Sequence, residues 1–592
     1  MNIALDIETR DLKVNTKINF IGVYTKIKGK GVFKYYKLPQ DLEAFKSFVK
    51  KCKEQNHKFI LHNGKFDVVR ILWSYGIDIY IHHDTMILTY LLSTINELKD
   101  NRGKWLGLKY AAPRILGVEN WDVATSKKTS EEEEDVVPYL HLDCKYTYDL
   151  FEKLTSTFPK SKLKTYKLIM HALNAYKYIE VNGLPIDMSK LEETYNEYSE
   201  ERAKLAEALK EFKDINWNST KQLSEYLFNE LNLPVINYTD KGAPSTGVAE
   251  LKELQNYHEV IPLLLKHREV EKAMAFLQSW KDEAILHNDG NYYLHSNFNL
   301  HGTVTGRTSS SDVNLQQIPR NKKLKSLFTS DHIHGWQLVC LDYSQLELRF
   351  AGIVADVQAI KEAYRKGEDL HYKMAATVTG KSIDQVTKEE RTQAKAANFG
   401  FLYGMQAKSF VEYAKTTYGV TVSLEQAQLI RARFFELYPE LLSYYDKVRN
   451  DLMNDSKQTS VMSREYVVNP MKLLNPFERE NIIRPAINFP VQSAGSDYVI
   501  SGLIEVMNDP LLKGNIKIGA TVHDSIIGLV RDDEHFEDYI KRIKELMEQP
   551  PVAKQLLTAT IDFPIVVDVE IGPLGKGVSL EEFMEARNGE GH

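Results

Sequence analysis

Acidic residues interrupt or follow apolar strands at three separate places in this sequence, and each place restricts how the chain can fold. Asp6 and Glu8 lie two positions apart in the apolar opening strand. Because side chains alternate along a strand, both carboxylates point to the same face. They repel each other and lose hydration there unless a cation lies between them, and a hard cation such as Mg²⁺ fits two carboxylates. For this pair alone, an exposed strand end is the alternative explanation.

The two other places lie far along the chain. Asp342 follows the apolar strand Leu338–Leu341, and Asp524 lies between two apolar segments, the first of which is Ile516–Val522. The two segments predict a hairpin with Asp524 at its tip. An acid at the end of an apolar strand is commonly only an end cap, so a functional interpretation depends on the residues around it.

The composition limits the classes of protein to which the chain can belong. With 592 residues it exceeds the size of one hydrophobic core, so we expect at least two domains. Its 43% hydrophobic and 26% charged residues are typical of a folded soluble protein. No apolar run approaches the roughly 18 residues that cross a bilayer. The sequence begins directly as a strand without a charged leader, which favours a cytoplasmic protein.

Charge and cysteine content add two constraints. The net charge is −6, so the chain lacks the overall basic character of many nucleic-acid binders, although a local basic groove can lie within an acidic total. The three cysteines, Cys52, Cys144 and Cys340, have no metal-ligand spacing. This favours a reducing compartment and argues against a structural zinc site.

Strand and helix patterns divide the chain into two parts. Residues 1 to about 155 alternate short apolar strands with amphipathic helices, as in an α/β domain with a partly parallel sheet. The segment Phe158–Lys162 contains Pro and Lys and is the predicted linker. Beyond it, Ser189 and Glu192 form a capping-box pattern at the start of a long helix, which we expect to pack in an antiparallel hairpin.

Two further pairs of polar residues occur in the first part. Asn63 and Asp67 lie four positions apart, on one face of a helix that follows an apolar strand. Tyr139 and Asp143 repeat this spacing further along, after the intervening segment Leu106–Tyr110. Three pairs in this order are more specific than any one pair alone.

Together with Asp6 and Glu8, these pairs closely resemble the three exonuclease motifs of the proofreading domains in the DnaQ-like superfamily. The resemblance covers most of the first part of the chain. It implies that Tyr139 orients the attacking water and that Asn63 contacts DNA. The ligands of two metal ions that it implies are Asp6, Glu8, Asp67 and Asp143.

A stripe of two cations and an aromatic ring occurs in the second part. Arg391, Lys395 and Phe399 recur every four residues, so they lie on one face of a helix. As an ordinary helix this would be a basic surface stripe with a core phenylalanine. As a substrate helix it would present charge to a triphosphate and a ring to a base.

Three segments of the second part resemble the polymerase motifs of family A DNA polymerases, the group of bacterial DNA polymerase I and many phage replicases. They are Asp342–Arg349, Arg391–Gly404 and Val522–Ser525, in this chain order. One departure stands out, since most members of the family have glutamate where this chain has Ser525. It leaves a supporting third carboxylate in doubt, but not the two central aspartates.

The resemblance assigns roles to individual residues. Asp342 and Asp524 would bind the metal ions, and Lys395 would donate a proton to pyrophosphate. Minor-groove acceptors are nearly the same for every base pair, so guanidinium and amide donors suit DNA contacts independent of sequence. The residues that it implies for the incoming nucleotide are Gln345, Glu347, His371, Arg391, Lys395, Phe399 and Tyr403. Those that it implies for DNA are Arg307, Arg484, Asn488, Gln492 and His523.

We therefore expect an α/β exonuclease domain with an RNase H-like mixed sheet over residues 1–158, and an α+β right-hand polymerase domain over residues 164–592. The expected thumb covers about 165–290, the palm lies around 300–350 and 484–592, and the fingers cover about 357–480. A chain that begins at the proofreading motif leaves no room for the 5′-nuclease domain of full-length bacterial relatives. This favours a phage-type replicase.

The expected function is template-directed DNA synthesis with 3′→5′ proofreading, with two Mg²⁺ ions in each active site and Mn²⁺ as a substitute. The expected ligands are primer–template DNA and deoxynucleoside triphosphates, with a helicase, a primase or a single-strand-binding protein as candidate partners. Two alternatives remain. A single-subunit RNA polymerase is disfavoured by Glu347 and by the proofreading motifs. An accessory protein on a decayed polymerase fold is disfavoured because none of the expected metal ligands is missing.

Overall fold

The computed structural model describes residues 1–100, 104–122, 129–239 and 241–589. Its N-terminal part contains a sheet of β1 (Asn2–Thr9), β2 (Ile18–Ile27), β3 (Lys30–Lys37), β4 (Lys58–Leu61) and β5 (His83–Asp84). The strand order is β3-β2-β1-β4-β5. Strand β1 pairs antiparallel with β2 and parallel with β4. The mixed sheet predicted from the sequence is thereby confirmed.

Within its described residues, this part of the chain has six α-helices, and one of them packs very closely on the sheet. They are α1 (Leu42–Glu54), α2 (Lys65–Tyr75), α3 (Thr85–Leu92), α4 (Ile95–Asp100), α5 (Leu108–Leu116) and α6 (Glu133–Ser156). Gly22 of β2 permits the close approach of α6, since a Cβ there would lie 2.7 Å from Leu140 Cγ and 2.9 Å from Cys144 Sγ. Gly22 pairs with Asp6 across the sheet. The same packing therefore brings Asp143 of α6 to the face that carries Asp6.

A helical region follows, with the helices α7 (Leu163–Asn182), α8 (Met188–Phe212), α9 (Thr220–Ser224), α10 (Val248–Glu253) and α11 (Val260–Glu283). Ion pairs Lys281–Glu192 at 2.7 Å and Lys266–Glu201 at 3.5 Å join α8 and α11 in antiparallel orientation, which confirms the predicted hairpin. The predicted capping box is wrong. Asp187 caps α8, and its side chain accepts hydrogen bonds from the backbone N–H groups of residues 189 and 190.

Short strands and one helical turn connect this region to the next sheet. They are β6 (Leu184–Ile186), β7 (Ile285–Leu286), β8 (Tyr292–Leu294), β9 (Asn297–Asn299), β10 (Ser309–Ser311) and α12 (Lys322–Lys325). The first three form one small sheet, in the order β6-β8-β7, and β9 pairs with β10.

The long strand β11 (Trp336–Tyr343) is followed by a mostly helical segment. Its elements are α13 (Leu346–Val354), α14 (Gln358–Lys366), α15 (Leu370–Thr379), α16 (Lys388–Phe401), α17 (Ala407–Tyr418), α18 (Leu424–Leu437), α19 (Glu440–Asp455), β12 (Lys457–Thr459), β13 (Glu465–Val467) and α20 (Pro470–Leu474). Thr387 and Glu390 cap α16 reciprocally, which defines where this helix begins.

The chain then returns to the sheet of β11. The remaining elements are α21 (Pro476–Asn508), β14 (Ile516–Val522), β15 (Ser525–Arg531), α22 (Phe536–Glu548), α23 (Pro551–Leu556), β16 (Val567–Ile571) and α24 (Leu580–Gly589). The strand order is β14-β15-β11-β16, with antiparallel pairing throughout. Only His523 and Asp524 lie between β14 and β15, so the predicted hairpin is confirmed.

A buried ion pair and a buried polar contact join the N-terminal part to the rest of the chain. Lys65 of α2 contacts Glu180 of α7, and both side chains are almost completely buried. Arg464 donates from Nη2 to Asp497 Oδ1 at 2.6 Å, and its side chain is 2% exposed. Its Nη1 also lies 3.5 Å from the hydroxyl of Tyr90 in α3. Within the described ranges, no helix is long and apolar enough to cross a membrane.

We predict that Asp497→Asn lowers the free energy of unfolding by about 3–5 kcal/mol, because the buried Arg464 guanidinium loses its counter-charge. Urea unfolding followed by circular dichroism measures the change. Glu480→Gln is the matched control, since it breaks the exposed pair Arg449–Glu480 and should cost at most about 1 kcal/mol. Equal unfolding midpoints for the two variants would contradict the prediction.

Candidate active sites

Three carboxylates meet on the N-terminal sheet. One carboxylate oxygen from each of Asp6, Glu8 and Asp143 lies within 4.8 Å of the other two. Alternation along β1 turns Asp6 and Glu8 to one face, and the packing of α6 adds Asp143. Asp67 lies outside this group, and its Oδ1 accepts a hydrogen bond from the backbone N–H of Ile7 at 3.0 Å.

Burial and like charge make this cluster electrostatically unfavourable without a cation. Burial raises the pKa of Asp6 to about 6, while the nearby Lys109 opposes the increase. The pKa of Asp67 is raised well above its ordinary value by burial and by the charge of Asp6. A group of carboxylates that resists ionisation in this way suits a divalent cation.

Two site residues were missed by the sequence analysis. The Lys109 ammonium contacts the carboxylate of Asp143 and lies 4.0 Å from the centre of the Tyr139 ring. Trp121 donates from Nε1 to Asp143 Oδ1 at 2.5 Å. Lys109 belongs to a segment that resembles the family pattern, so a signal for it existed. No pattern in the sequence marks Trp121.

Of the other two residues predicted for this site, Tyr139 lies next to the cluster, whereas Asn63 lines a separate cavity of about 250 Å³ that includes none of the three carboxylates. The pKa of Tyr139 is raised by burial and by the charges of Glu8 and Asp6, so its hydroxyl stays protonated and can donate a hydrogen bond. Asn63 has a positive φ of 58°. Its backbone N–H donates to Asp84 Oδ1 at 3.3 Å, which fixes the turn before α2.

A cavity of about 820 Å³ lies at the sheet that contains β11. Asp342 at the end of β11 and Asp524 at the hairpin tip both line it. The backbone N–H of Tyr343 donates to the Asp524 carbonyl oxygen at 3.3 Å, so the two chain segments are in direct contact. Burial by the cavity walls and the charges of Asp524 and Asp568 raise the pKa of Asp342 to about 6.

Asp568 and Glu570 on β16 also line this cavity and were not predicted from the sequence. Their Asp-x-Glu spacing in an apolar strand is the pattern that identified Asp6 and Glu8, so the signal was present in the sequence. The hydroxyl of Ser525 donates to the Val522 carbonyl oxygen at 2.8 Å. It stabilises the hairpin turn and leaves no carboxylate at that position.

Gln345, Glu347 and Phe399, predicted to contact the nucleotide, line the cavity together with His523, predicted to contact DNA. The hydroxyl of Tyr403 donates to Glu347 Oε1. On the other side, Arg307 Nη2 lies 3.6 Å from Glu347 Oε2. These contacts hold the Glu347 side chain in one position.

The remaining predicted nucleotide contacts lie away from the cavity wall. Arg391 donates from Nη2 to Asp369 Oδ2 at 2.7 Å, while Lys395 is exposed. His371 is 2% exposed, and burial lowers its pKa to about 4. Its Nδ1 lies 3.0 Å from the side-chain nitrogen of Asn398, which can only donate, so the ring proton is on Nε2.

The stripe predicted to contact DNA lies on α21. Arg484 is exposed, and Asn488 and Gln492 are partly buried, so the stripe follows the boundary between core and solvent. None of the three lines the cavity. Their role in DNA binding remains a prediction, as do all the other nucleotide and DNA contacts that the resemblance implies.

The chain therefore carries two separate groups of carboxylates, one on each of its two larger sheets. Two family profiles match the chain, "3'-5' exonuclease" over residues 1–158 and "DNA polymerase family A" over residues 188–574. The chain therefore belongs to DNA polymerase family A. The predicted fold class is confirmed.

Individual relatives agree with this assignment. The DNA polymerase of Bacillus phage SP01 is 27% identical over 89% of this chain, which spans 64% of that protein. DNA polymerase I of Aquifex aeolicus is 29% identical, with 86% of each chain covered. The solved POL domain of Pol1 from M. smegmatis has a TM-score of 0.79 at 23% identity over 96% of this chain and 94% of that one. This last likeness shows the fold alone.

We predict that the affinity of the protein for Mn²⁺ decreases as the pH falls from about 8 to about 5. Asp6 and Asp342 have pKa values of about 6, so below that pH protons compete with the metal ion for both carboxylates. Electron paramagnetic resonance of free Mn²⁺ during a titration measures the affinity. Equal dissociation constants at both ends of the range would contradict the prediction.

Proposed function

We propose that this chain is a DNA-directed DNA polymerase with a 3′→5′ proofreading exonuclease, and that it serves a phage-type replicative role. The observation that carries this proposal is the pair of separate carboxylate sites in a family A chain, one on each sheet. The direct test is extension of a labelled primer on a template with Mg²⁺. Primers should lengthen when deoxynucleotides are present and shorten when they are absent.

The donor sets fit divalent metal ions, because every proposed ligand is a carboxylate. Asp342 and Asp524 would hold two Mg²⁺ ions at the polymerase site, and Mn²⁺ would substitute. When bound, such ions activate the attacking oxygen and neutralise charge on the leaving group. At the exonuclease site the proposed ligands are Asp6, Glu8, Asp67 and Asp143.

Side chains of this protein would perform the proton and positioning steps. Tyr139, which stays protonated, would donate a hydrogen bond to the attacking water of the exonuclease reaction. At the polymerase site, Lys395 would protonate the leaving pyrophosphate. His371 would donate from Nε2 to a phosphate oxygen, and Phe399 would contact the base. Arg391 would exchange its partner Asp369 for a phosphate.

The proposed ligands are primer–template DNA and deoxynucleoside triphosphates. The M. smegmatis structure is described as a complex with "DNA primer-template and dNTP", which supports this ligand class. Arg307 and the α21 stripe of Arg484, Asn488 and Gln492 would contact the minor groove. Asn63 would contact the primer end in the exonuclease domain.

A replicative role implies further partners and a location. A helicase, a primase or a single-strand-binding protein would supply the unwound, primed template. We place the activity in the cytoplasm of a bacterial or phage-infected cell, because the similar proteins come from bacteria and a phage.

We predict that Asp6→Ala with Glu8→Ala abolishes primer shortening, raises misincorporation and leaves extension near the wild-type rate. Asp342→Ala should have the reciprocal effect. Each 1.4 kcal/mol of lost transition-state stabilisation slows a step by about tenfold, so loss of metal ligands nearly abolishes the affected reaction. Gel assays of labelled primers measure both activities.

The two-site architecture would be refuted if the Asp6/Glu8 variant, still folded by circular dichroism, lost both activities together. A single shared active site would then explain the result. Retention of exonuclease activity in Asp342→Ala is the internal control, because it shows that this variant is folded.

We predict that Glu347→Ala increases ribonucleotide use relative to deoxyribonucleotide use by at least about tenfold in kcat/KM. Tyr403 and Arg307 hold the Glu347 side chain at the cavity wall, where it would exclude a 2′-hydroxyl. Truncation opens this space. Glu362→Ala, which removes an exposed glutamate on α14, is the matched control. An unchanged ratio in Glu347→Ala would defeat the assignment and reopen the RNA polymerase alternative.

A further inference from the structure

Three exposed apolar side chains occur close together where α20 ends and α21 begins. They are Met471, Leu474 and Phe477, which are 70%, 65% and 87% exposed. Phe477 has the highest exposed fraction of all large apolar side chains in the part of the chain that the structure describes. We call these three residues the apolar face. The core of this region is formed by other residues, such as Leu473 and Ile483, so the apolar face is available to a ligand.

The charged residues around the apolar face leave an excess of cations beside it. The nearby acids are each paired, as Lys472–Glu478 at 3.1 Å and Arg449–Glu480 at 2.7 Å. Arg479 and Arg484 form no ion pair with any described residue, so their guanidinium groups can contact phosphate. The surface here is therefore locally positive, although the whole chain has a net charge of −6.

Helix α21 connects the apolar face to the polymerase cavity. In the middle of this helix, Ser496 Oγ donates to the Gly306 carbonyl oxygen at 2.8 Å. Ser496 also shares a small pocket with Arg307 and Asp524. Phe477 lies on the same helix, roughly 28 Å away along its axis at 1.5 Å per residue. The helix thus extends from the polymerase site outward to the apolar face.

Phe477 also continues the polar stripe of α21. Arg484 follows Phe477 by close to two helical turns, so both side chains lie on one face of the helix. Asn488 and Gln492 extend the same stripe toward the polymerase site. A DNA strand that follows the stripe away from that site therefore meets Phe477 about 10 Å beyond Arg484.

An exposed aromatic ring beside free cations suits single-stranded DNA. Unpaired bases stack on aromatic side chains, while cations contact the phosphates between them. A base pair inside a duplex has both faces covered by its neighbours and cannot use such a ring. In a primer–template, the template beyond the primer end is always unpaired, whereas the primer end becomes unpaired only after an error. The unpaired template is therefore the strand that the apolar face fits.

We propose that Phe477 is a stacking platform for an unpaired base of the template strand ahead of the polymerase site. Arg479 and Arg484 contact the phosphates beside that base, and Met471 and Leu474 extend the apolar surface around it. This inference rests on the proposed polymerase function. The platform would hold the template extended before its bases enter the cavity.

The first test measures the affinity for primer–templates by fluorescence anisotropy, without divalent metal ions, so that neither proposed reaction alters the DNA. Phe477→Leu should weaken binding of DNA with a long template overhang by at least about fivefold, the lower end of the effect of one lost base–aromatic stack. Binding of the same duplex with blunt ends should be unchanged. Phe477 is 87% exposed, so circular dichroism should show a normally folded variant.

Two substitutions at the same position separate stacking from general apolar contact. Phe477→Leu keeps an apolar side chain and removes the ring. Phe477→Tyr keeps the ring and is the matched control, so it should bind the long overhang as tightly as the unmodified chain.

The second test identifies the strand with 2-aminopurine, a fluorescent base whose emission falls when it stacks. One set of primer–templates carries it at successive positions of the template overhang, and a second set carries it at a mismatched primer 3′ end. The unmodified chain should quench it at one or two adjacent overhang positions. Phe477→Leu should restore the emission at those positions.

Equal affinity of the unmodified chain and Phe477→Leu for the long overhang would overturn the inference, as would a Phe477-dependent quench confined to the primer end. If Phe477→Leu instead abolished self-association in sedimentation and left DNA binding unchanged, the apolar face would be a contact between copies of this chain. None of these results would affect the proposed polymerase function, which fails only if the unmodified chain does not extend primers.

Discussion

Both sites depend on holding carboxylates closer together than their charges favour. Asp6, Glu8 and Asp143 share one region of the first sheet, and Asp342 faces Asp524 on the second. Burial raises the pKa of Asp6, and burial together with the charges of Asp524 and Asp568 raises the pKa of Asp342, so the charged forms of both carboxylates cost free energy in these sites. Backbone pairing within a sheet can hold such groups in place, whereas a loose loop would let them separate. A divalent cation would be attracted by the same carboxylates that repel one another, so their arrangement favours binding of such an ion.

Buried polar contacts connect the two halves of the molecule and reach into the second site. Arg464 pairs with Asp497 and also approaches Tyr90 of the N-terminal part. The Tyr90 hydroxyl donates to the Thr303 carbonyl oxygen at 2.7 Å. That loop continues to Arg307, which approaches Glu347 in the polymerase cavity. The N-terminal part therefore helps to position a side chain of the other active site, although each site has its own carboxylates.

Much of both sites could be predicted from local spacing. Alternation along β1 placed Asp6 and Glu8 on one face, and the short gap between two apolar strands placed Asp524 at a hairpin tip. Asp568 carries the same local signal, but its strand lies more than 200 residues from β11 in the sequence, so its proximity to Asp342 could not be inferred. The cap of α8 was misassigned because Asp187 and Ser189 both suit a helix N-terminus, and propensity alone does not choose between them.

The sequence by itself determined which residues share a face, since the periods of strand and helix are local properties of the backbone. It also determined the family, because the motifs occur in a specific order. Only the tertiary structure decided which faces meet: α6 on β1 and β2, β16 beside β11, and Lys109 against Asp143. It likewise buried His371 in neutral form, while Arg391 of the same region pairs with an aspartate. These outcomes depend on the packing of segments far apart in the chain, and no local period encodes that packing.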